Sequence, residues 1–257
     1  ALAAAIVLSF LSHAPNRLLS GQPVPWGVVL EGWRSLAFAP ALVLLAGPFL
    51  PNGRITHGLV ALAASALIAG MIWLAGDVAR SMADAAAPAA RTSFGGAFWI
   101  LAVMAALAAS DALQKLTREP ALRIGLALLL AVPAVFLVAD GFIDALSIMK
   151  EYANRHAVFA AAVTTHLAII AAMLVPTLAI GLPLGLLVHR RQGLGRPIFA
   201  VLNIIQTVPS IALFGLLIAP LAALVAFAPA LARLGISGIG VTPAIIALTL
   251  YSLLPIV

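Results

Sequence analysis

The chain has 257 residues, 64% of them hydrophobic and only 9% charged, with a net charge of +6 and a mean hydropathy of +1.17. A soluble domain carries about a quarter charged side chains, so this composition excludes a water-facing globule. The absence of cysteine excludes disulfides, thiolate metal centres and a cysteine nucleophile. The basic residues are scattered through short connections, without a basic face or stacking aromatics, which excludes nucleic acid as a partner.

Apolar runs and their breakers predict about eight membrane segments: 1–12, 36–50, 55–75, 96–112, 121–139, 159–188, 197–219, and from 242 onward. The chain opens inside the first run and stops inside the last, so 1–12 is expected to be the remainder of a first spanning helix. Pro40 and Pro48 should bend or end the short second segment. Between segments lie Pro51-Asn52-Gly53, Ala87-Pro88, Glu119-Pro120 and Gln192-Gly193-Leu194-Gly195-Arg196-Pro197, which are turn and breaker residues. Residues 140–156 should include an amphipathic helix with Phe142, Leu146, Met149 and Tyr152 or Ala153 on one side. Residues 221–234, broken by Pro229, are expected to re-enter or lie on the membrane rather than cross it.

Charge sets the orientation. The connections holding Arg54, the Lys115/Arg118/Arg123 group and the Arg190/Arg191/Arg196 group are short and basic, with Glu119 as their one acidic residue. The opposite connections are longer and close to neutral. The basic set is therefore expected on the cytoplasmic side. Trp26, Trp33, Trp73 and Trp99 then fall at or near the outer interface, where indoles are favoured. The resulting division is an N-terminal bundle of about five spans (1–139), a periplasmic amphipathic connection (140–158) and a C-terminal membrane part (159–257).

In the C-terminal part, Asn203, Gln206, Thr207 and Ser210 sit at offsets of three, four and seven within the 197–219 run. On one helix they would form a polar stripe. Amides and hydroxyls are costly against hydrocarbon, so the stripe must face protein or water. Two readings stand: hydrogen bonding within the bundle, or the wall of a water-filled path. Pro209 should leave the Ile205 carbonyl without its usual donor, to be satisfied by a nearby hydroxyl or amide. Thr242, Thr249 and Ser252 form a weaker stripe, for which bonding to the helix's own backbone is an adequate account.

The 159–188 helix is about 45 Å long at about 1.5 Å per residue and must tilt, bend or extend beyond the bilayer. Pro176 and Pro183 share one face and each removes a backbone hydrogen bond. Gly181 and Gly185 form a small-xxx-small pair that permits close approach. A packing helix and a flexing gate are both compatible with this pattern.

Ionisable residues inside the spans are nearly absent, with Asp111 and His166 placed near helix ends. An ion-coupled carrier would show buried carboxylates or paired broken helices. Energy for transport is thus expected from outside this chain. The sequence holds no HExxH, GxSxG, Walker or dinucleotide motif, and His13, His57, His156, His166 and His189 are scattered singly, so no catalytic residue and no metal site are expected.

The run Thr164-Thr165-His166-Leu167, then Gly181-Leu182-Pro183-Leu184-Gly185, then His189-Arg190-Arg191, resembles the permease subunits of bacterial ABC importers. Asn203-Ile204-Ile205-Gln206-Thr207-Val208-Pro209-Ser210 is similar to the N-I-x-Q-T-[IV]-P-S helix of the osmoprotectant (glycine betaine/carnitine/choline) branch. Gly238-Ile239-Gly240, the run from Pro243 to Leu248, and Leu250-Tyr251-Ser252-Leu253-Leu254-Pro255-Ile256-Val257 resemble the next helix of that branch. The likeness covers about the last hundred residues. The first 140 resemble only in kind the extra N-terminal spans that some members carry.

The resemblance implies an all-α polytopic helical bundle ending in an incomplete MetI-like permease core, whose coupling helix and last spans should lie beyond Val257. It implies a transport subunit, not an enzyme, in the bacterial inner membrane. Its partners would be a second permease subunit as homodimer or heterodimer, cytoplasmic ATPase subunits that bind ATP and Mg, a periplasmic or lipid-anchored substrate-binding protein, and membrane lipid. The path residues would be Asn203, Gln206, Thr207, Ser210 and Tyr251, with Pro176, Gly181, Pro183, Gly185 and Pro209 as kink or gate positions. Quaternary ammonium groups are commonly held in aromatic cages, yet residues 159–257 contain no Trp and a single Tyr, Tyr251. Selectivity is therefore expected in the binding protein. The alternatives are an ABC permease for an amino acid or other small cation, an ion-coupled secondary transporter, or a membrane scaffold.

Overall fold

Residues Leu11–Ala14 form a strand, β1, rather than the end of a spanning helix. In a computed structural model describing residues 7–85, 89–233 and 235–257, β1 pairs antiparallel with Gln22–Pro23 (β2) and with Arg91–Phe94 (β3). The sheet order is β2-β1-β3, with Leu11 opposite Phe94 and His13 opposite Thr92. His13 Nδ1 lies 3.0 Å from the Thr92 hydroxyl, so the sheet's central pair is joined by side chains as well as backbone. A span cannot run through to residue 12 as expected, because Phe10 and Leu11, both fully buried, are spent on this sheet and the core beneath it. Residues 1–6 lie outside the described residues.

The remaining elements are helical: Trp26–Val29 (α1), Pro40–Ala46 (α2), Arg54–Ala85 (α3), Gly96–Leu116 (α4), Pro120–Ala139 (α5), Ser147–Arg190 (α6), Gln192–Thr207 (α7), Ser210–Phe227 (α8), Ala230–Arg233 (α9) and Val241–Leu253 (α10). Six helical stretches of the described residues are long and apolar enough to cross a membrane: Gly32–Phe49, Arg54–Ala83, Gly96–Leu116, Pro120–Ala139, Ser147–Arg190 and Ser210–Phe227. The first is broken, as Pro40 and Pro48 require: a 3-10 turn Gly32–Phe38 leads into α2, and another, Gly47–Phe49, follows it.

The molecule divides into two compact units, Ala1–Arg155 and His156–Val257. In the first, α3 is the axis. Ala64, Leu67, Met71, Leu74 and Val78 recur at helical spacing and are almost fully buried. They meet Phe10, Val29, Phe98, Ile143 and Leu146 in one cluster. Between lipid-embedded helices this contact is held by close packing more than by water exclusion, which suits the buried Ala64, Ala75 and Ala79 beside the larger side chains. A Cβ on Gly76 would stand 2.7 Å from the Phe142 ring, so the 140–144 turn can sit on α3 only at a glycine.

Helix α3 runs ten residues beyond its expected end at Ala75, and so carries Asp77 and Arg80 on the helix rather than in a connection. Both are occupied. Arg34 Nε donates to Asp77 Oδ2 at 2.7 Å. Arg80 donates to the Gly141 carbonyl at 3.0 Å and lies 4.0 Å above the Phe142 ring. Trp33 and Trp73 approach at 4.6 Å beside the same corner. Helix continuation is favourable here because its last turns are tied to two neighbouring segments.

The helix expected within 140–156 begins at Ser147, after a turn in which Ile143 and Leu146 are buried, and runs on as α6. Backbone angles leave the helical region at Arg155 (φ −132°, ψ 18°), at the boundary of the two units, and not at Pro176 or Pro183. In the second unit α8 continues through Pro220 to Phe227, so the first seven residues of the 221–234 segment belong to a helix long enough to cross a membrane, and the four-residue α9 lies between Pro229 and the end of that segment.

Candidate functional site

The single spanning helix expected over 197–219 is two helices. Pro209 lacks an N–H and pushes its predecessor out of the α region; Val208 accordingly adopts φ −72°, ψ 125° and ends α7. Pro209 then caps α8, its carbonyl accepting the Leu213 N–H at 2.9 Å. The polar stripe is split accordingly. Asn203, Gln206 and Thr207 lie in the last turns of α7, and Ser210 opens α8 across the break. The four remain neighbours in sequence, but as a polar elbow and not a straight stripe.

The elbow is fastened to α10. Gln206 Nε2 donates to the Tyr251 carbonyl at 3.1 Å, and the Tyr251 phenol donates in return to the carbonyl of Val208. That carbonyl belongs to neither helical ladder, so the phenol satisfies a group that the break has exposed. The Ile205 carbonyl, expected to need a side-chain donor, instead takes the Val208 N–H at 3.3 Å. Thr207, although exposed, donates to the Ile204 carbonyl of its own helix at 2.7 Å. Asn203 and Ser210 are exposed and make no side-chain hydrogen bond among the described residues. Two of the stripe's members thus hold the elbow's geometry, and two present free polar groups.

Helix α6 meets the end of the chain. A Cβ on Gly181 would lie 2.8 Å from Ile256 Cγ2, and one on Gly185 would lie 3.2 Å from the Val257 carbonyl oxygen. The small-xxx-small pair therefore admits the segment that follows α10. Pro176 and Pro183 ride on the same helix without breaking it. Between them Thr177 is fully buried and donates to the Met173 carbonyl at 2.6 Å. The sequence singled out neither Thr177 nor Met173, although a hydroxyl four residues after a potential acceptor, in a proline-containing turn, is the available signal.

Local backbone bonding does not account for the hydroxyls of α10. Thr242 donates back to the Gly235 carbonyl at 2.9 Å, outside the helix. Ser252 reaches Met173 Sδ on α6 at 3.9 Å. Thr249 is buried with no partner for its hydroxyl among the described residues. Thr242 and Ser252 thus serve contacts outside their own helix, which the spacing alone could not distinguish from local bonds.

Chemically the elbow offers amides, hydroxyls and backbone carbonyls, and no ionisable group. Such a surface can exchange hydrogen bonds with a passing polar solute without trapping it by charge. Among the described residues no group of three or more His, Cys, Asp or Glu could hold a metal ion.

The family described as "ABC transporter permease YehY, N-terminal domain" matches residues 1–149. The "Osmoprotectant import permease protein OsmW" of Salmonella typhimurium is 44% identical over 92 residues, which are 36% of this chain and 38% of that protein. The "Glycine betaine/carnitine/choline transport system permease protein OpuCD" of Bacillus subtilis is 36% identical over 78 residues, 30% of this chain and 27% of that one. The chain thus spans well under half the length of these two relatives. No solved structure matches it.

Proposed function

The chain belongs to the family of the ABC transporter permease YehY through its N-terminal domain, and on that premise we propose that it supplies part of the path through which an ATP-driven importer passes a small osmolyte. It is a multi-pass membrane protein, with six described helical stretches able to cross a bilayer. We place it in the bacterial inner membrane, beside a second permease subunit, with ATP and Mg held by cytoplasmic ATPase subunits and the solute delivered by a substrate-binding protein. The proposed cargo is glycine betaine or a related quaternary amine, the class printed in the names of the two relatives.

The observation that carries this reading is the elbow at Val208–Pro209. Buried polar groups in membrane helices are ordinarily paired or face water; here Asn203 and Ser210 stay exposed while Gln206 and Tyr251 brace the break between α7 and α8. A helix break lined by neutral polar groups suits transient contact with a zwitterion, and tight selection is left to the binding protein. The test is uptake of radiolabelled glycine betaine by cells expressing the complete transporter. Asn203→Leu with Ser210→Leu should lower the uptake rate about tenfold at unchanged membrane abundance. Unaltered uptake by the correctly inserted double variant would remove these residues from the path.

A further inference from the structure

Within the first unit, helices α3, α4 and α5 leave between them a cavity of about 410 Å³. Its walls are apolar, formed among others by Ile68, Ala109, Leu113, Ala127 and Ala134. Its size falls within the roughly 300–1,000 Å³ of pockets that enclose small organic ligands. One wall is α5, which has no buried residue along its length; among the described residues one side-chain hydrogen bond ties it to α3. Ser65 Oγ donates to the Leu130 carbonyl at 2.5 Å, in the turn that Pro133 loosens.

The cavity is not apolar throughout. Arg123 lines one end, and its guanidinium is only partly committed. One terminal nitrogen donates to the Thr117 carbonyl at 3.1 Å, whereas Nε is buried with no hydrogen-bond partner among the described residues. None of the ion pairs found among those residues includes Arg123. A buried guanidinium N–H without an acceptor costs the full desolvation of that group, so an acceptor is required. Arg118 stands in the same connection, and Lys115, although paired with Asp111 at 2.6 Å, adds to a basic end. The charge pattern of the connections places that end on the cytoplasmic side, where anionic lipid is attracted to basic clusters.

We propose that this cavity is a binding site for one anionic phospholipid, its phosphate accepting from the Arg123 guanidinium and one acyl chain lying along Ala127 and Ala134. An apolar slot closed at its membrane-surface end by an arginine lacking an acceptor matches that amphiphile at both ends. A free phosphate would leave the slot empty, and a neutral lipid would leave less charge complementarity at Arg123. The bound lipid would fill the gap between α5 and the α3–α4 pair, which polar bonding secures at one described point.

These 257 residues hold no cysteine, so Ala134→Cys, in a full-length protein with any cysteine outside them replaced, gives a unique label site in the cavity. Bimane at that position should be quenched by phosphatidylglycerol with brominated acyl chains, added at a few mole per cent to phosphatidylcholine nanodiscs. Brominated phosphatidylcholine at the same fraction should quench about fivefold to tenfold less efficiently, the worth of one basic side chain at an anionic surface. Arg123→Gln should bring the two lipids within about twofold. If that variant does not insert, Ala127→Phe, which fills the slot and keeps the arginine, should abolish the excess quenching instead. Equal quenching by both lipids in the unsubstituted background would overturn the proposal. So would an excess that millimolar inorganic phosphate removes, or an absence of quenching that shows the slot filled by a protein segment.

Discussion

Gln206 and Tyr251 tie α7 to α10 at two points: the Gln206 amide donates to the Tyr251 carbonyl at 3.1 Å, and the Tyr251 phenol donates to the carbonyl of Val208, two residues beyond Gln206. Each residue thus gives a side-chain donor to the backbone of the facing segment. A proline-made break between α7 and α8 becomes a fixed corner against α10.

Tyr251→Phe removes one of these bonds and Gln206→Leu the other, with little loss of volume. Side-chain hydrogen bonds between membrane helices average about 0.6 kcal/mol and reach ~1.7, so each variant should lose about that much. Because both bonds hold one corner, the double variant should depart from additivity by at least ~0.5 kcal/mol. Unfolding of the purified full-length protein in detergent, run as a double-mutant cycle, measures this directly.

Gly181 carries the contact between α6 and the segment after α10. Gly181→Val forces a side chain into the space held by Ile256, and overpacking of this kind costs about 1–3 kcal/mol. Ile256→Ala on the same background should recover most of the loss, although by itself it removes packing. The same unfolding assay decides it, because a helix-propensity effect at residue 181 would not be relieved by a change at residue 256.

Arg34 and Asp77 form a partly exposed pair, with 16% and 30% of their side-chain surfaces accessible. Asp77→Asn leaves the guanidinium facing a neutral amide and should cost about 1–3 kcal/mol, the range for hydrogen bonds to a charged group. Exposure places the value toward the lower end. Exchanging the two residues should restore part of the stability, and the salt dependence of the loss should be weak because the pair is shielded on one side. Thermal midpoints of the three proteins at low and high salt test both statements.

Much of this architecture was legible in the chain. The apolar runs over 96–112 and 121–139 emerge as Gly96–Leu116 and Pro120–Ala139, because helix length in a membrane is set by composition and bilayer thickness. The breaks at Pro40 and Pro48 were equally plain. At Pro209, by contrast, hydropathy outweighed the proline in the reading. Two short helices and one long one have the same mean hydropathy over that window, and only the extended angles of Val208 separate them. The ends of α3 and α8 were misplaced for the opposite reason. Asp77 and Pro220 look like terminators until the Arg34 partner and the continuing helix are known.

What the sequence determined alone was the medium: with so few charges and so long a set of apolar runs, the backbone had to close its own hydrogen bonds as helices. What only the tertiary structure decided was which polar groups are shared between segments. The β1–β3 pairing joins residues about eighty positions apart, and the Arg34–Asp77, Ser65–Leu130 and Gln206–Tyr251 contacts each bridge more than forty. Local periodicity reports the face on which a residue lies, but a hydrogen bond needs a partner within about 3 Å. Proximity between distant segments is created by packing and is written in no single stretch of chain.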